Sequence, residues 1–240
     1  MLSGPPVTTT VSADQLLERL IGASPRQRRS LLAPLIQRRD EIRPLIPDRL
    51  DHLDATGDDW LAGVLIQQLL CVDDGLSQAF WQRHPQGWLA VTSAQGLDYA
   101  PLQCALMRQA FEEADRLTSE HLRQLAGTAA VQRGYVYYSE VPAIAAADLD
   151  SLDRLWVVYS QGRFGFSVQR RLLASLEGRW ERLWPKLGWK TDGVWTRYPG
   201  AFTWSLEAPD GHLPLVNQLR GVRLMDALLN HPAVIQRAAG

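Results

Sequence analysis

Arg220 and Arg223 stand three residues apart near the end of the chain, just after the apolar run Leu213, Pro214, Leu215. A planar guanidinium makes bidentate, charge-assisted bonds to carboxylate or phosphate. An apolar loop beside it offers a wall to a hydrophobic ligand body. The grouping therefore suits a flat, apolar anion. It suits equally well two solvated arginines at the start of a last helix, and the residues alone leave both readings open. Asp115 is a second candidate for chemistry. It lies inside a helical run with no second acid placed to work with it, so a cap or salt-bridge role is expected rather than general-acid catalysis. Residues 126–134, AGTAAVQRG, read as a loop of small residues that includes Val131. Tyr135, Val136, Tyr137 and Tyr138 follow, either as a ligand mouth or as the edge of an aromatic core.

No enzyme signature accompanies these groups. There is no nucleophile elbow, no metal-ligand helix and no Walker loop. The five histidines, His52, His84, His121, His212 and His231, are scattered. His212, in GHLP, is expected to be structural and to help its loop turn by hydrogen bonding. The two cysteines, Cys71 and Cys104, lie far apart in no redox or metal motif, as expected of free thiols in a reducing compartment. No run approaches the roughly 18–20 apolar residues that span a bilayer. Residues Met1 to about Val11 read as a frayed tail, and the opening MLSGPPVTTTVS is neither a signal nor a transit peptide. The expectation is a soluble protein working where it is made, or one whose targeting segment has been removed.

Charge is unevenly placed. The whole chain carries a net charge of −1, yet residues 154–197 hold nine basic residues against three acidic ones. Five tryptophans, Trp156, Trp180, Trp184, Trp189 and Trp195, are interleaved there, out of nine in the chain. Local asymmetry of this kind points to an anionic partner. Single-strand nucleic-acid binders also set basic residues among aromatics, although no RNA-binding signature or phosphate loop is present. The arginines between Arg26 and Arg39, with acids close by, read as a solvated helix face.

The elements that must position these groups are helical. Leu149, Leu152, Leu155, Trp156 and Tyr159 recur at steps of three or four, one face of a helix that Asp148 can cap and Gly162 can stop. Arg163-Phe164-Gly165-Phe166 is a tight aromatic corner. Ser167 can cap a second helix, with Val168, Leu172, Leu176 and Trp180 on one face. Upstream, Ser12 and Ser24-Pro25 start two helices, and Trp60 to Val72 is apolar nearly all round, as in the centre of a bundle. Phe111, Ala114, Thr118, Leu122 and Leu125 line one face of a further helix. Residues 194–206 suit a short hairpin through Pro199-Gly200. The expected fold is all-α: an N-terminal helical bundle over 1–84, a turn at His84-Pro85-Gln86-Gly87, a mostly helical core over 88–233 with a short hairpin, and a tail over 234–240.

Several long blocks then occur in one order: ADRLT at 114–118, LWVVYSQGRFGFSVQRR at 155–171, LWPKLGWK at 183–190, VWTRYPGAFTWSLEAP at 194–209 and GHLPLVNQLRGVR at 211–223. Together they closely resemble the Genomes Uncoupled Four family, tetrapyrrole-binding regulators of magnesium chelatase in oxygenic phototrophs. The resemblance covers roughly 91–232. It implies a helical core shaped like a cupped hand that holds protoporphyrin IX and Mg-protoporphyrin IX without catalysing a reaction. It also implies a partner, the large porphyrin-binding subunit of the chelatase, and no nucleic acid. The family's anion-contacting arginines match Arg220 and Arg223. The apolar and aromatic walls fall on Leu122, Val131, Tyr138, Tyr198, Leu213, Pro214 and Leu215. Asn217 matches a loop asparagine that can approach the bound magnesium. The chain departs from the family at Tyr198, where a tryptophan is usual, and at Ser119, where a basic residue can occur. The implied setting is the cytoplasm of a photosynthetic prokaryote, with room for peripheral association at membranes.

Overall fold

The computed structural model describes residues 11–216 and 222–240, and its architecture is all-α. The N-terminal third holds α1 (Ala13–Gly22), α2 (Pro25–Gln37), α3 (Arg39–Ile42), α4 (Ile46–Leu50), α5 (Trp60–Leu70) and α6 (Gly75–Arg83). The rest holds α7 (Ala100–Met107), α8 (Phe111–Ala126), α9 (Thr128–Arg133), α10 (Ala146–Tyr159), α11 (Phe166–Ser175), α12 (Trp180–Lys186), strands β1 (Lys190–Thr191) and β2 (Val194–Trp195), α13 (Val222–Leu229) and α14 (Pro232–Ala239). A 3₁₀ turn, Tyr138–Ala143, leads into α10.

Local chemistry explains the helix starts. Ser12 and Gln15 close a capping box at α1, with bonds of 3.1 and 3.0 Å. Ser24 precedes Pro25 at the first position of α2. Asp59 accepts the Leu61 N–H at α5, and Asp74 accepts from Leu76 and Ser77 at α6. Helix α5 is buried from Trp60 to Gln67, the consequence of a sequence apolar on every side. It lies directly across α10. A Cβ added to Gly63 would stand 2.2 Å from the carbonyl oxygen of Val158, so only glycine lets the two backbones approach this closely. The Gln67 side chain bonds the Tyr159 carbonyl at 2.8 Å in the same contact.

Helix α10 is the centre of the molecule: Leu149, Leu152, Leu155, Trp156, Val158 and Tyr159 are fully buried. The aromatic corner after it is buried too, with Phe164 and Phe166 at 0% exposure. Gly165 at its apex has φ of 124°, and a Cβ there would lie 2.7 Å from Asp153 Oδ1. That same oxygen accepts the Ser167 N–H at 2.8 Å, so an acid of α10 satisfies the start of α11. All nine tryptophans belong to the core or pack against it, the commoner use of so large an apolar side chain.

The structure departs from the sequence reading in several places. Helix α10 begins at Ala146, with Ala145 at its cap, and Asp148 sits within it. The Asp148 carboxylate accepts instead from Tyr99 at 2.7 Å and from Ala94 N at 3.2 Å. The second helix starts at Phe166 rather than after a Ser167 cap, and it ends before Leu176. Glu177 and Gly178 take positive φ, so Trp180 belongs to α12. Residues 128–133 form α9 rather than a loop: alanines favour helix, and Gly127 and Gly134 bound it. The hairpin turns through Asp192-Gly193, a dipeptide that takes the positive φ such turns require, and not through Pro199-Gly200. Residues 234–240, read as a tail, lie mostly in α14, which packs on α10 and α11. Arg28, assigned to a solvated face, is buried; it bonds the Leu20 and Ile21 carbonyls at 2.9 Å each and pairs with Asp59. The expected N-terminal tail falls mainly on residues 1–10, outside the described residues.

Candidate functional site

Helix α8 and the loop 211–216 face one another, and the loop is fastened at both ends. The Gly211 N–H bonds the Arg163 carbonyl at 2.7 Å, and the Gly165 N–H bonds the Leu213 carbonyl at 3.0 Å. Gln169, fully buried, donates from Nε2 to the Gly211 and Pro214 carbonyls at 2.9 Å each. The aromatic corner and the start of α11 are therefore the mould in which this loop is cast. His212 holds the near end. Its Nδ1 lies 2.6 Å from the Leu187 carbonyl, and its Nε2 lies 3.3 Å from the Thr203 N–H. One ring nitrogen donates and the other accepts, which is the neutral imidazole, and burial lowers its pKa accordingly. The structural role expected of His212 is the one observed.

The ADRLT block supplies the other fastening. Ala114 is fully buried. Thr118 donates to the Ala114 carbonyl at 2.8 Å and accepts the Trp156 indole N–H at 2.9 Å, locking α8 onto α10. Asp115 is 2% exposed and accepts the Leu215 N–H on Oδ1 at 2.6 Å. The cap or salt-bridge role expected from the sequence is not the one observed: among the described residues Asp115 is the anchor of the loop. Burial, opposed by the Leu215 bond and aided by the charge of Glu112, raises its pKa to about 7.

Between these elements opens a cleft of about 400 Å³, within the roughly 300–1,000 Å³ usual for small-molecule sites. Its apolar lining comes from Leu122, Val136, Leu215, Val216 and Leu224, and its aromatic lining from Tyr135 and Tyr198. Asp115, Arg116, Ser119 and Arg123 supply the polar edge on α8. Arg116 is engaged by Glu113 at 2.7 Å and by Glu120 at 3.2 Å. The Tyr135 wall is held by Arg133, whose guanidinium lies 4.7 Å from the Tyr135 ring and 4.0 Å from the Tyr137 ring while pairing with Glu140 at 2.7 Å. Tyr198 is 55% exposed and packs by its edge near Trp204, with ring centroids 6.0 Å apart. Burial of part of that ring, then the charge of Asp115, raises its hydroxyl pKa.

The cleft brings together Leu122, Tyr198 and Leu215 of the residues singled out in the sequence, with Ser119 beside them. Leu213 and Pro214, within the loop, are buried. Val131 is exposed on α9 and Tyr138 on the turn before α10. Arg223, exposed at the start of α13, lies 5.5 Å from the Tyr138 ring. Asn217 and Arg220 lie outside the described residues. Tyr135 and Val136, for which a ligand mouth was one of two open readings, also line it, whereas sequence reasoning missed Asp115, Arg116, Arg123, Val216 and Leu224 as lining. Helical spacing was the available signal on α8: Asp115, Ser119 and Leu122 recur at steps of four and three.

Four of the nine basic residues of the stretch 154–197 are engaged within the protein. Arg154 donates to the Ala90 carbonyl, Arg163 pairs with Asp210, Arg170 bonds Asn230, and Arg179 pairs with Glu177. Among the described residues no group of three or more His, Cys, Asp or Glu could hold a metal ion, and no helix is long and apolar enough to cross a membrane.

A family model described as GUN4-like matches residues 92–232. The "Ycf53-like protein" of Synechocystis sp. is 52% identical over 151 residues, 63% of this chain and 65% of that protein. The "Tetrapyrrole-binding protein, chloroplastic" of Arabidopsis thaliana is 43% identical over 141 residues, 55% of this chain and 53% of that protein. The match thus spans less than two thirds of either relative. The structure of GUN4 from Chlamydomonas reinhardtii superposes with a TM-score of 0.58 at 38% identity, over 60% of this chain and 95% of that one.

Proposed function

The chain belongs to the GUN4-like family, and from that premise we propose that it is a non-catalytic tetrapyrrole-binding regulator of chlorophyll biosynthesis. The observation that carries the reading is the cleft itself: apolar and aromatic walls on a helical frame, with Arg116 and Arg123 at its polar edge. A porphyrin is a broad apolar disc with two carboxylates on one edge. Its faces gain on the order of 25 cal/mol for each Å² buried, and its carboxylates require guanidinium groups. Leu122, Val136, Leu215, Val216, Leu224, Tyr135 and Tyr198 are suited to the disc. Arg223 and, by the family resemblance, Arg220 take the carboxylates. Tyr138 and Val131 complete the outer wall, with Leu213 and Pro214 supporting it from beneath. By the family resemblance, Asn217 would be the residue able to approach a magnesium ion carried by the ligand.

The ligands of this reading are protoporphyrin IX and Mg-protoporphyrin IX, substrate and product of magnesium chelatase. The partner is the chelatase's large porphyrin-binding subunit. Binding would deliver the porphyrin and shield it, since a free porphyrin generates reactive oxygen in light. The protein works in the soluble phase of a photosynthetic cell, with peripheral contact to membranes. The ligand-binding unit is the core over 88–233, and the bundle over 1–84, packed on it where α5 crosses α10, serves docking or scaffolding. Reconstituted chelatase assayed with and without this chain at limiting porphyrin tests the regulatory half. A higher rate of magnesium insertion supports it; an unchanged rate with bound porphyrin reduces the protein to a carrier.

A further inference from the structure

Asp115 is nearly inaccessible, yet it borders the cleft. Among the described residues no cation forms an ion pair with it. On its own helix, Glu112 opposes its charge, and Arg116 is drawn aside by Glu113 and Glu120. Thr118 is committed to Trp156 and to the Ala114 carbonyl. From the facing side comes the Tyr198 phenol, whose own ionisation Asp115 opposes. The loop contributes one N–H, that of Leu215, and α13 contributes the apolar Leu224. Among the described residues a single hydrogen bond thus supports this buried carboxylate, which borders the cleft.

We propose that Asp115 is the proton-linked group of this cleft, so that seating an anionic tetrapyrrole transfers one proton from solvent to its carboxyl. The inference rests on the tetrapyrrole reading above. A disc in the cleft removes the remaining water from Asp115 and brings two more negative charges near it, and both changes favour the neutral acid. The neutral acid keeps the loop in place, because Oδ1 still accepts the Leu215 N–H when the proton sits on Oδ2. Asp115 is therefore a positioning residue whose protonation adjusts affinity while its hydrogen bond persists.

The sign follows from linkage. The free protein holds this acid at about pH 7, and the bound protein holds it higher. Affinity is then greatest below about pH 7, falls as pH rises through the free and then the bound value, and levels off above both. The ligand's own carboxylates, ordinary acids near pH 4–5, stay ionised throughout.

The full chain should be titrated with deuteroporphyrin IX between pH 6 and 9, beside Asp115→Asn. Calorimetry at pH 8 in two buffers of different ionisation enthalpy counts the protons. The wild type should lose about threefold to tenfold in affinity across this range and take up about 0.2–0.4 of a proton at pH 8. Asp115→Asn should bind with the wild type's low-pH affinity at every pH. Tight binding with no proton uptake in the wild type, or an equal slope in Asp115→Asn, overturns the linkage and leaves the tetrapyrrole reading standing. Should the substitution fail to fold, the wild-type proton count decides alone. No binding at any pH overturns both.

Discussion

Asp115 Oδ1 and the backbone N–H of Leu215 meet at 2.6 Å across 100 residues of sequence. That bond joins the helix on one side of the cleft to the loop on the other. The loop is held from behind by Gln169 and the aromatic corner, so the cleft has fixed walls before a ligand arrives. Pre-formed walls spare a ligand the cost of ordering them.

The same acid makes stability depend on pH. Its folded-state value of about 7 lies above the ordinary aspartate value near 4. The folded state therefore binds the proton more tightly, and the associated stability is full below about pH 4 and lost as pH rises to 7. Asp115→Asn keeps the acceptor for Leu215 and removes the buried charge. It should match the wild type near pH 4.5 and exceed it at pH 8 by about 1–3 kcal/mol, each pKa unit being 1.36 kcal/mol. Urea unfolding at the two pH values measures this, and a variant less stable than wild type at pH 8 contradicts it.

Gly63→Ala should destabilise the chain by about 2–3 kcal/mol, because the new methyl group meets the Val158 carbonyl at 2.2 Å and backbone must shift. The urea midpoint should fall. An unchanged midpoint would mean that α5 and α10 can part at no cost.

Arg237, on the last helix, pairs with Asp153 at 2.6 Å, Asp150 at 3.0 Å and Asp58 at 3.1 Å. Asp153 is fully buried, so Arg237→Ala strands a charge and should cost about 3–5 kcal/mol. Truncation before residue 232 should do at least as much harm. Thermal unfolding of both variants checks this, and wild-type stability in either would remove the triad from the core.

Arg223→Ala and Arg220→Ala should each weaken deuteroporphyrin binding by about 1.5–3 kcal/mol, the range for a hydrogen bond to a charged group. Fluorescence titration reads the loss. An affinity unchanged in both variants would place the carboxylates elsewhere, and the Arg116–Arg123 edge of α8 would be examined next.

Much of this architecture is written in helical period and cap chemistry. The α1, α2, α5 and α8 starts and the apolar face of α10 follow from local rules, because each rule acts within one or two turns. What stayed hidden depends on distant partners. Asp148 satisfies the cap rule locally, yet Tyr99 claims it from 49 residues away. Asp115 resembles an ordinary helical acid until Leu215 is placed against it. Small residues at 128–133 read as a loop although alanine favours helix. The cleft was legible on the side of Leu215, where the family likeness named it, and on Leu122. Val216 and Leu224 could not be read as lining, since alternation and spacing give burial but not which apolar face borders an opening.

The most direct test is equilibrium titration of the full chain with deuteroporphyrin IX and its magnesium complex, following tryptophan quenching and the porphyrin absorption band together. Saturable one-to-one binding that survives moderate salt is the expected result, because apolar burial supplies much of the affinity. Absence of saturable binding, or binding that collapses steeply with salt as counterion release would cause, would contradict it.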